Sequence, residues 1–182
     1  MSFKIYSRPA PRKKRGAECD IYYAVLRMFE RSFLMGLCDG KLCYAAFSDK
    51  WQDLQNAYPL ARLIPGDQAV QKQCEMICTA YRNNAPLRCD VYFEGTPFQI
   101  AVWEVVADIP RGADISYASI AQKINHPRAV RAVGTAVGAN PVVVFLPCHR
   151  VRPAAGGYGG YAFGTALKEH ILKTEASIKK AP

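Results

Sequence analysis

The stretch SYASIAQKINHPRAVRAVGTAVGAN, residues 116–140, decides the fold of the carboxy-terminal half of the chain. Ser116 is a suitable helix N-cap, and the first helix is expected to bury Ile120, Ala121 and Ile124. The break NHP puts Pro127 in the first turn of a second helix. That helix is ended by three breakers, Gly138, Asn140 and Pro141. Two short helices joined by a tight turn predict a helix-turn-helix.

The second helix is unusually thin, since apart from its arginines it contains only Ala, Val, Gly and Thr. Arg128, Arg131 and Thr135 follow i, i+3, i+7 spacing, which predicts a shared face. A thin helix with exposed arginines can enter a nucleic-acid groove closely. The same composition also suits a helix packed tightly in a core with its arginines in solvent. This segment alone supports both interpretations equally.

The net charge of +9 is unevenly distributed over the 182 residues. Residues 1–15 hold six Lys and Arg and no acid, and with Pro9 and Pro11 they predict a basic, disordered arm. Residues 93–182 hold ten basic against six acidic residues. Such a balance favours a polyanionic partner, nucleic acid first. Many proteins are basic without binding DNA, so charge alone gives nucleic-acid binding no better than even odds.

The amino terminus lacks the apolar core of a secretory signal, and no apolar run approaches the roughly 20 residues of a membrane span. We therefore expect an intracellular protein without a membrane partner. Its compartment would be the cytoplasm in a bacterium or the nucleus in a eukaryote.

Residues 16–92 predict a small α/β supporting domain without an evident catalytic cluster. Asp39-Gly40 is the signal of a tight hairpin between two strands. A helix is predicted over residues 67–83, with Asp67 as its cap and one apolar face formed by Val70, Cys74, Ile77 and Tyr81. Residues 93–182 form the second predicted domain.

Seven cysteines occur, at positions 19, 38, 43, 74, 78, 89 and 148. None forms a C-x-x-C pair, and with three histidines a four-ligand zinc site is hard to assemble. We expect no metal. The six cysteines other than Cys148 are predicted to be reduced and packed as small hydrophobic residues.

In the segment VVVFLPCHRV, residues 142–151, the apolar run 142–146 predicts a buried strand that delivers Cys148. Neighbouring side chains of an extended backbone point to opposite faces, so Cys148 and His149 are not expected to pair directly. A water molecule can bridge them, with a carboxylate behind the imidazole.

Two further segments follow. The segment GGYGGYAFG, residues 156–164, lacks the βαβ unit of a dinucleotide site and is interpreted as a lid over a flat ligand or as a flexible surface loop. The last helix has a predicted stripe of Leu167, Ile171 and Leu172, and Glu175 is by default a solvated charge.

Taken together, these motifs resemble the O6-alkylguanine-DNA alkyltransferases, also called methylated-DNA–protein-cysteine methyltransferases. The resemblance is carried by PCHRV (147–151) and by six other elements in the family's order: FQIAVW (98–103), SYASIA (116–121), RAVG (131–134), NP (140–141), GGYAFG (159–164) and K…ILKTE (168–175). The resemblance is close over residues 97–175 and looser before residue 97. The chain also resembles the C-terminal half of the bacterial adaptive-response regulator. It implies an α+β fold, with a small ribonuclease-H-like α/β domain followed by a winged helix-turn-helix domain.

The resemblance also implies a role for each matching residue. Cys148 would take the alkyl group from guanine O6 and keep it as a thioether, with His149 acting as base through water and Glu175 orienting His149. Asn140 would shape the turn that presents the thiol. The pocket wall would consist of Val151, Tyr161 and Ala162, where Ala162 replaces a serine of some relatives.

For DNA, the resemblance implies that Tyr117 rotates the target nucleotide and assists proton delivery, while Arg131 fills the vacated stack. Contacts from Arg128 and from the backbone of Ala118 would add to these. The expected partner is duplex DNA containing O6-alkylguanine, with O4-alkylthymine left open. The protein would be a single-use monomer with no cofactor and no protein partner. The alternative is a non-catalytic DNA-lesion binder or regulator, which the presence of Cys148 disfavours.

Overall fold

The computed structural model describes residues 2–10, 12–16, 19–86 and 88–178. Within them lie six helices and a six-stranded sheet, in a mixed α/β architecture. The chain divides into two compact units: residues 1–97 with 141–143, and residues 98–140 with 144–182. No helix in the described ranges is both long and apolar enough to cross a membrane.

The first unit is built on a sheet with strand order β1-β6-β4-β3-β2-β5. Its strands are β1 (Ser2–Pro9), β2 (Asp20–Met28), β3 (Arg31–Cys38), β4 (Lys41–Ala46), β5 (Arg62–Pro65) and β6 (Arg88–Gly95). Its helices are α1 (Trp51–Ala57) and α2 (Gln68–Arg82). Because β6 runs to Gly95, the domain boundary predicted between residues 92 and 93 falls inside a strand.

Local sequence signals account for the hairpin and for α2. Asp39 and Gly40 both have positive φ, 49° and 70°, as a two-residue turn between β3 and β4 requires. The Asp67 side chain accepts a hydrogen bond from the Val70 N–H at 3.0 Å and caps α2. The predicted hairpin and helix are therefore confirmed.

The predicted disordered arm is wrong for residues 2–9, which form strand β1. This strand pairs in parallel with β6, Ser2 with Arg88 through Pro9 with Gly95. Pro9 is tolerated because it ends a strand at the edge of the sheet, where its missing N–H costs no ladder bond. Residues 1 and 11 of that predicted arm lie outside the described ranges.

The prediction that six cysteines are reduced is wrong for Cys19 and Cys38, which form a disulfide. Cys38 pairs with Ile21 in the β2–β3 ladder, so Cys19, two residues before Ile21, lies beside it, with 6.3 Å between the two Cα atoms. The predicted packing is confirmed for four free cysteines, which are buried: Cys43, Cys74, Cys78 and Cys89. Burial raises the pKa of Cys74, Cys78 and Cys89 to about 12.

The second unit is mainly helical. Its helices are α3 (Pro97–Ala107), α4 (Tyr117–Lys123), α5 (Val130–Gly138) and α6 (Thr165–Ile178). Two short parallel strands, β7 (Ile115–Ser116) and β8 (Val151–Arg152), pair with each other. Trp103 of α3 is fully buried and donates its indole N–H to the Ala136 carbonyl of α5 at 2.8 Å. That bond ties α3 to the helix predicted to face DNA.

Candidate active site

Helix α4 begins where the sequence predicts. The Ser116 hydroxyl accepts a hydrogen bond from the Ser119 N–H at 3.0 Å, which confirms Ser116 as the N-cap. Ile120 and Ala121 are buried, while Ile124 is half-buried and caps the carboxyl end of the helix.

Helix α5 begins at Val130, so Pro127 is not in its first turn as predicted. The Ala129 N–H bonds to the His126 carbonyl at 2.9 Å, and this closes a separate turn before the helix starts. Arg128 lies in that turn, exposed, and does not belong to the helix face that carries Arg131 and Thr135. The predicted shared face therefore holds only Arg131 and Thr135, both exposed.

The small residues of α5 have a direct packing role. Val133, Ala136 and Val137 are buried on one side of the helix. A Cβ built on Gly134 would meet the Tyr117 ring at 4.0 Å, so this ring lies against α5 where the helix is thinnest. The thin helix thus packs one face in the core and presents its arginine on the other.

The approach to Cys148 is an irregular buried turn, and the predicted strand over 142–146 is wrong. Val144 has a φ of 77°, which no strand residue adopts, and residues Cys148–Arg150 form one 3₁₀ turn. The Asn140 side-chain amide donates to the Leu146 carbonyl at 2.8 Å and to the Cys148 sulfur at 3.0 Å. Asn140 therefore holds the turn and contacts the thiol at once.

His149 is buried, and in the described part of the chain no hydrogen bond joins its imidazole ring to the Cys148 thiol. His149 Nε2 lies 3.1 Å from Glu175 Oε1. Since an ionised carboxylate only accepts, Nε2 carries the proton and Nδ1 presents a lone pair. Nδ1 is buried and has no hydrogen-bond partner among the described residues. Burial lowers the pKa of His149, against the opposing effect of Glu175.

Glu175 is 2% exposed, so the default expectation of a solvated charge is wrong. Arg150 donates two hydrogen bonds to its carboxylate, from Nε to Oε2 at 2.9 Å and from Nη2 to Oε1 at 2.6 Å. Arg150 Nη1 also donates to the Ile109 carbonyl. Although burial raises the pKa of Glu175, the hydrogen bonds from His149 and Arg150 hold it well below its usual range.

Lys168 is the second buried cation of the site. It is 1% exposed, and its Nζ donates to the Val151 carbonyl at 2.7 Å. Burial lowers the pKa of Lys168. Burial likewise raises the pKa of the Cys148 thiol, while the Asn140 hydrogen bond and the Lys168 charge act to lower it.

Sequence reasoning assigned no role to Arg150 or Lys168. A signal was present for Lys168, because Lys168, Ile171 and Glu175 follow i, i+3, i+7 spacing and all three are buried. The predicted stripe held for Leu167 and Ile171, whereas Leu172 is half-buried.

The predicted pocket residues differ in exposure. Val151 is fully buried in β8, Tyr161 is half-buried with its ring 5.8 Å from that of Phe163, and Ala162 is exposed. They flank a glycine-rich loop in which Gly159 has a φ of 67° and leaves no room for a Cβ against Pro153. Position 159 therefore requires glycine, because its backbone lies close to the Pro153 ring.

Tyr117 and Ala118 begin α4 and are both half-buried. Burial raises the pKa of the Tyr117 phenol, and the proximity of Cys148 raises it further. The tyrosine predicted to serve the transfer therefore lies within electrostatic reach of the predicted nucleophile.

Comparison with known proteins finds similarity to one family. Residues 97–177 match the family described as 6-O-methylguanine DNA methyltransferase, DNA binding domain. The chain is 33% identical over 164 residues to the bifunctional transcriptional activator/DNA repair enzyme Ada of Escherichia coli (strain K12), a match that covers 88% of the chain and 44% of that protein. It is 49% identical over 85 residues to the inducible methylated-DNA–protein-cysteine methyltransferase of Bacillus subtilis (strain 168), covering 47% of the chain and 48% of that protein.

A solved structure extends the likeness to both units. The crystal structure of Mycobacterium tuberculosis OGT in complex with DNA is 28% identical, with a TM-score of 0.71, over 86% of this chain and 94% of that one. Over residues 97–177, the chain is therefore similar to the DNA-binding domain of the 6-O-methylguanine DNA methyltransferases. The chain spans about half the length of the curated relatives it matches.

Proposed function

We propose that this protein repairs DNA by moving the alkyl group of O6-alkylguanine onto its own Cys148. The observation that carries the proposal is the contact between the Asn140 amide and the Cys148 sulfur, with a buried His149–Glu175 pair directly behind. A thiol reacts as its thiolate, and a positioned donor stabilises that charge. The B. subtilis relative is named as a methyltransferase to protein cysteine, which supports the same reaction.

The transfer proceeds in balanced steps. The Cys148 proton passes through a bridging water to His149 Nδ1, whose other nitrogen donates to Glu175. The sulfur then bonds to the alkyl carbon as the carbon–O6 bond breaks. The electron pair of the broken bond stays on O6 of guanine. Tyr117 gives the departing guanine a proton and regains one from solvent or from the relay. The product is a thioether on Cys148, which is a poor leaving group, so each molecule reacts once.

Reaching the alkyl carbon requires a flipped base, since the carbon is inaccessible in stacked duplex DNA. In the proposal, the exposed Arg131 of α5 enters the vacated stack, Tyr117 presses on the target phosphate, and Arg128 and the Ala118 backbone contact the strand. Val151, Tyr161 and Ala162 would wall the base pocket. The M. tuberculosis neighbour is crystallised with DNA, which supports a nucleic-acid partner.

The first unit is assigned as a ribonuclease-H-like supporting domain and the second as a winged helix-turn-helix alkyltransferase domain, with β7 and β8 as candidate wing strands. The protein is proposed to act on O6-alkylguanine as a monomer inside the cell.

The direct test is intact-protein mass spectrometry after incubation with a duplex containing one O6-methylguanine. We expect wild type to gain the mass of one CH₂ group, located on the peptide of Cys148, and C148A to gain nothing. C89A is the matched control, since Cys89 is a buried thiol of the other unit, and it should react like wild type. Wild type that binds the duplex and keeps its original mass would sink the proposal.

The second candidate is a non-catalytic lesion binder or regulator, which the exposed arginines Arg128 and Arg131 also suit. It predicts salt-dependent binding to lesion DNA with the alkyl group left on guanine. The mass measurement therefore separates the two candidates.

A further inference from the structure

The arginine after the predicted Cys148–His149 pair lies in the protein interior. Arg150 is 7% exposed, and all three of its donor groups are engaged: Nε and Nη2 bind the Glu175 carboxylate and Nη1 binds the Ile109 carbonyl. Ile109 follows α3, and Glu175 belongs to α6. The guanidinium therefore joins two elements of the fold to the turn that carries the nucleophile.

The proposed proton relay runs from Cys148 through water to His149 and Glu175. The forked Arg150 guanidinium affects this relay because it shares Glu175 Oε1 with the His149 ring. That oxygen accepts from Arg150 Nη2 at 2.6 Å and from His149 Nε2 at 3.1 Å. A carboxylate that faces histidine alone stabilises the imidazolium form strongly. Here the Arg150 guanidinium already neutralises the Glu175 carboxylate. A second positive charge, on His149, is therefore stabilised less by that carboxylate.

Around His149, the two cations Arg150 and Lys168 lower its pKa and the Glu175 carboxylate raises it. Arg150 lies in its own turn, Lys168 and Glu175 lie on α6, and Cys148 precedes it, with Tyr117 of α4 close to that thiol. With Cys148 protonated, this set holds two cations against one anion. A protonated His149 would add a third buried cation.

We propose that Arg150 is a positioning residue of the relay: it fixes the Glu175 carboxylate and keeps His149 uncharged, so that Nδ1 accepts a proton. The inference rests on the proposed function for its purpose, but the charge state of His149 is measurable without DNA. Arg150 acts only through Glu175 and His149 and touches no substrate.

The experiment is a pH titration of the histidine rings by NMR, in protein labelled at its three histidines. In wild type we expect His149 to carry its proton on Nε2 and to titrate below the ordinary histidine value of about 6.5. A wild-type His149 that titrates at or above that value overturns the proposal, and this measurement needs no variant.

Two variants then separate charge from packing. R150M removes the cation, so we expect the His149 midpoint to rise by about one pH unit or more. R150K keeps the charge without the fork, and its midpoint should stay nearer to wild type. The matched control is R152M, because Arg152 is about half exposed and pairs with Asp114 on the surface; it should not move His149.

A second readout uses iodoacetamide and locates the modified Cys148 by peptide mass. In R150M the midpoint of Cys148 alkylation should fall, because a more basic His149 stabilises the adjacent thiolate. An R150M protein with wild-type midpoints for both groups, or equal shifts in R150M and R150K, refutes the assignment. Failure of methyl transfer with the expected titrations would instead count against the proposed function.

Discussion

Asn140 donates one hydrogen bond to the sulfur of Cys148 and another to the carbonyl of Leu146, from the same side-chain nitrogen. One amide therefore holds the irregular turn and stabilises negative charge on the thiol that the turn presents. The position of the nucleophile and its acidity are coupled through a single residue.

Replacing Asn140 with alanine should raise the pH midpoint of Cys148 alkylation by iodoacetamide by about one unit, since a hydrogen bond to a charged group is lost. Methyl transfer at neutral pH should slow accordingly. The control is N83A, at an exposed helix end in the other unit. An unchanged midpoint in N140A would show that the contact does not reach the thiolate.

Replacing Glu175 with glutamine should lower the free energy of unfolding at pH 7 by about 3 kcal/mol, because it leaves Arg150 buried without its counter-ion. The folded-state pKa of Glu175 is depressed, so its stabilisation is complete above the unfolded value of about 4.3 and is lost as pH falls towards the folded value. Urea unfolding at several pH values should show the difference between wild type and E175Q shrinking below about pH 4.

The matched control for that measurement is E169Q. Glu169 pairs with Lys173 on the exposed side of the same helix, at 2.8 Å. Its replacement should change stability by less than about 0.5 kcal/mol. Equal losses in E169Q and E175Q would contradict the buried pair as the source of the effect.

Gly134 offers a test of the contact between α5 and Tyr117. A methyl group at Gly134 makes ordinary contact with the ring, so G134A should stabilise the helix by about 0.5–1 kcal/mol and preserve methyl transfer. G134L exceeds that space and should displace Tyr117 and slow the transfer. G138A, with no neighbouring atom within 4 Å, is the control for the helix effect alone. Full activity in G134L would remove Tyr117 from the mechanism.

Replacing Arg131 with alanine should weaken binding to duplex DNA and slow methyl transfer, because the side chain proposed to fill the vacated stack is lost. The effect on methyl transfer should be larger than the effect on binding. Arg131 is proposed to fill the vacated stack only after the protein has bound the duplex and rotated the nucleotide out. K72A, at an exposed position of α2, is the control. Equal losses of binding and of methyl transfer in R131A would contradict the proposed insertion of Arg131 into the stack.

The sequence predicted the elements whose signals are local. The Ser116 and Asp67 caps, the Asp39-Gly40 hairpin and the existence of the two short helices α4 and α5 all depend on residues within a few positions of one another. The start of α5 was missed because Pro127 suits a first turn, whereas the chain closes a separate turn between His126 and Ala129. Local patterns alone do not distinguish these two outcomes.

Interactions between distant residues were not predictable in the same way. The burial of Glu175 depends on Arg150, 25 positions earlier, and the Cys19–Cys38 disulfide depends on the register of β2 and β3. Neither partner carries a local signal for the other. The resemblance to a known family supplied the link from Glu175 to His149, which composition and periodicity did not.

Strand β1 has a consequence for the order in which the protein is made. Among the described strands it leaves the ribosome first, yet its only partner in the sheet is β6, from Arg88 to Gly95. Until β6 has emerged, β1 has no ladder to join, and its closure involves a long loop. The nascent chain therefore carries an unpaired, basic strand through the synthesis of the rest of the sheet, and the first unit completes its edge only when that synthesis ends.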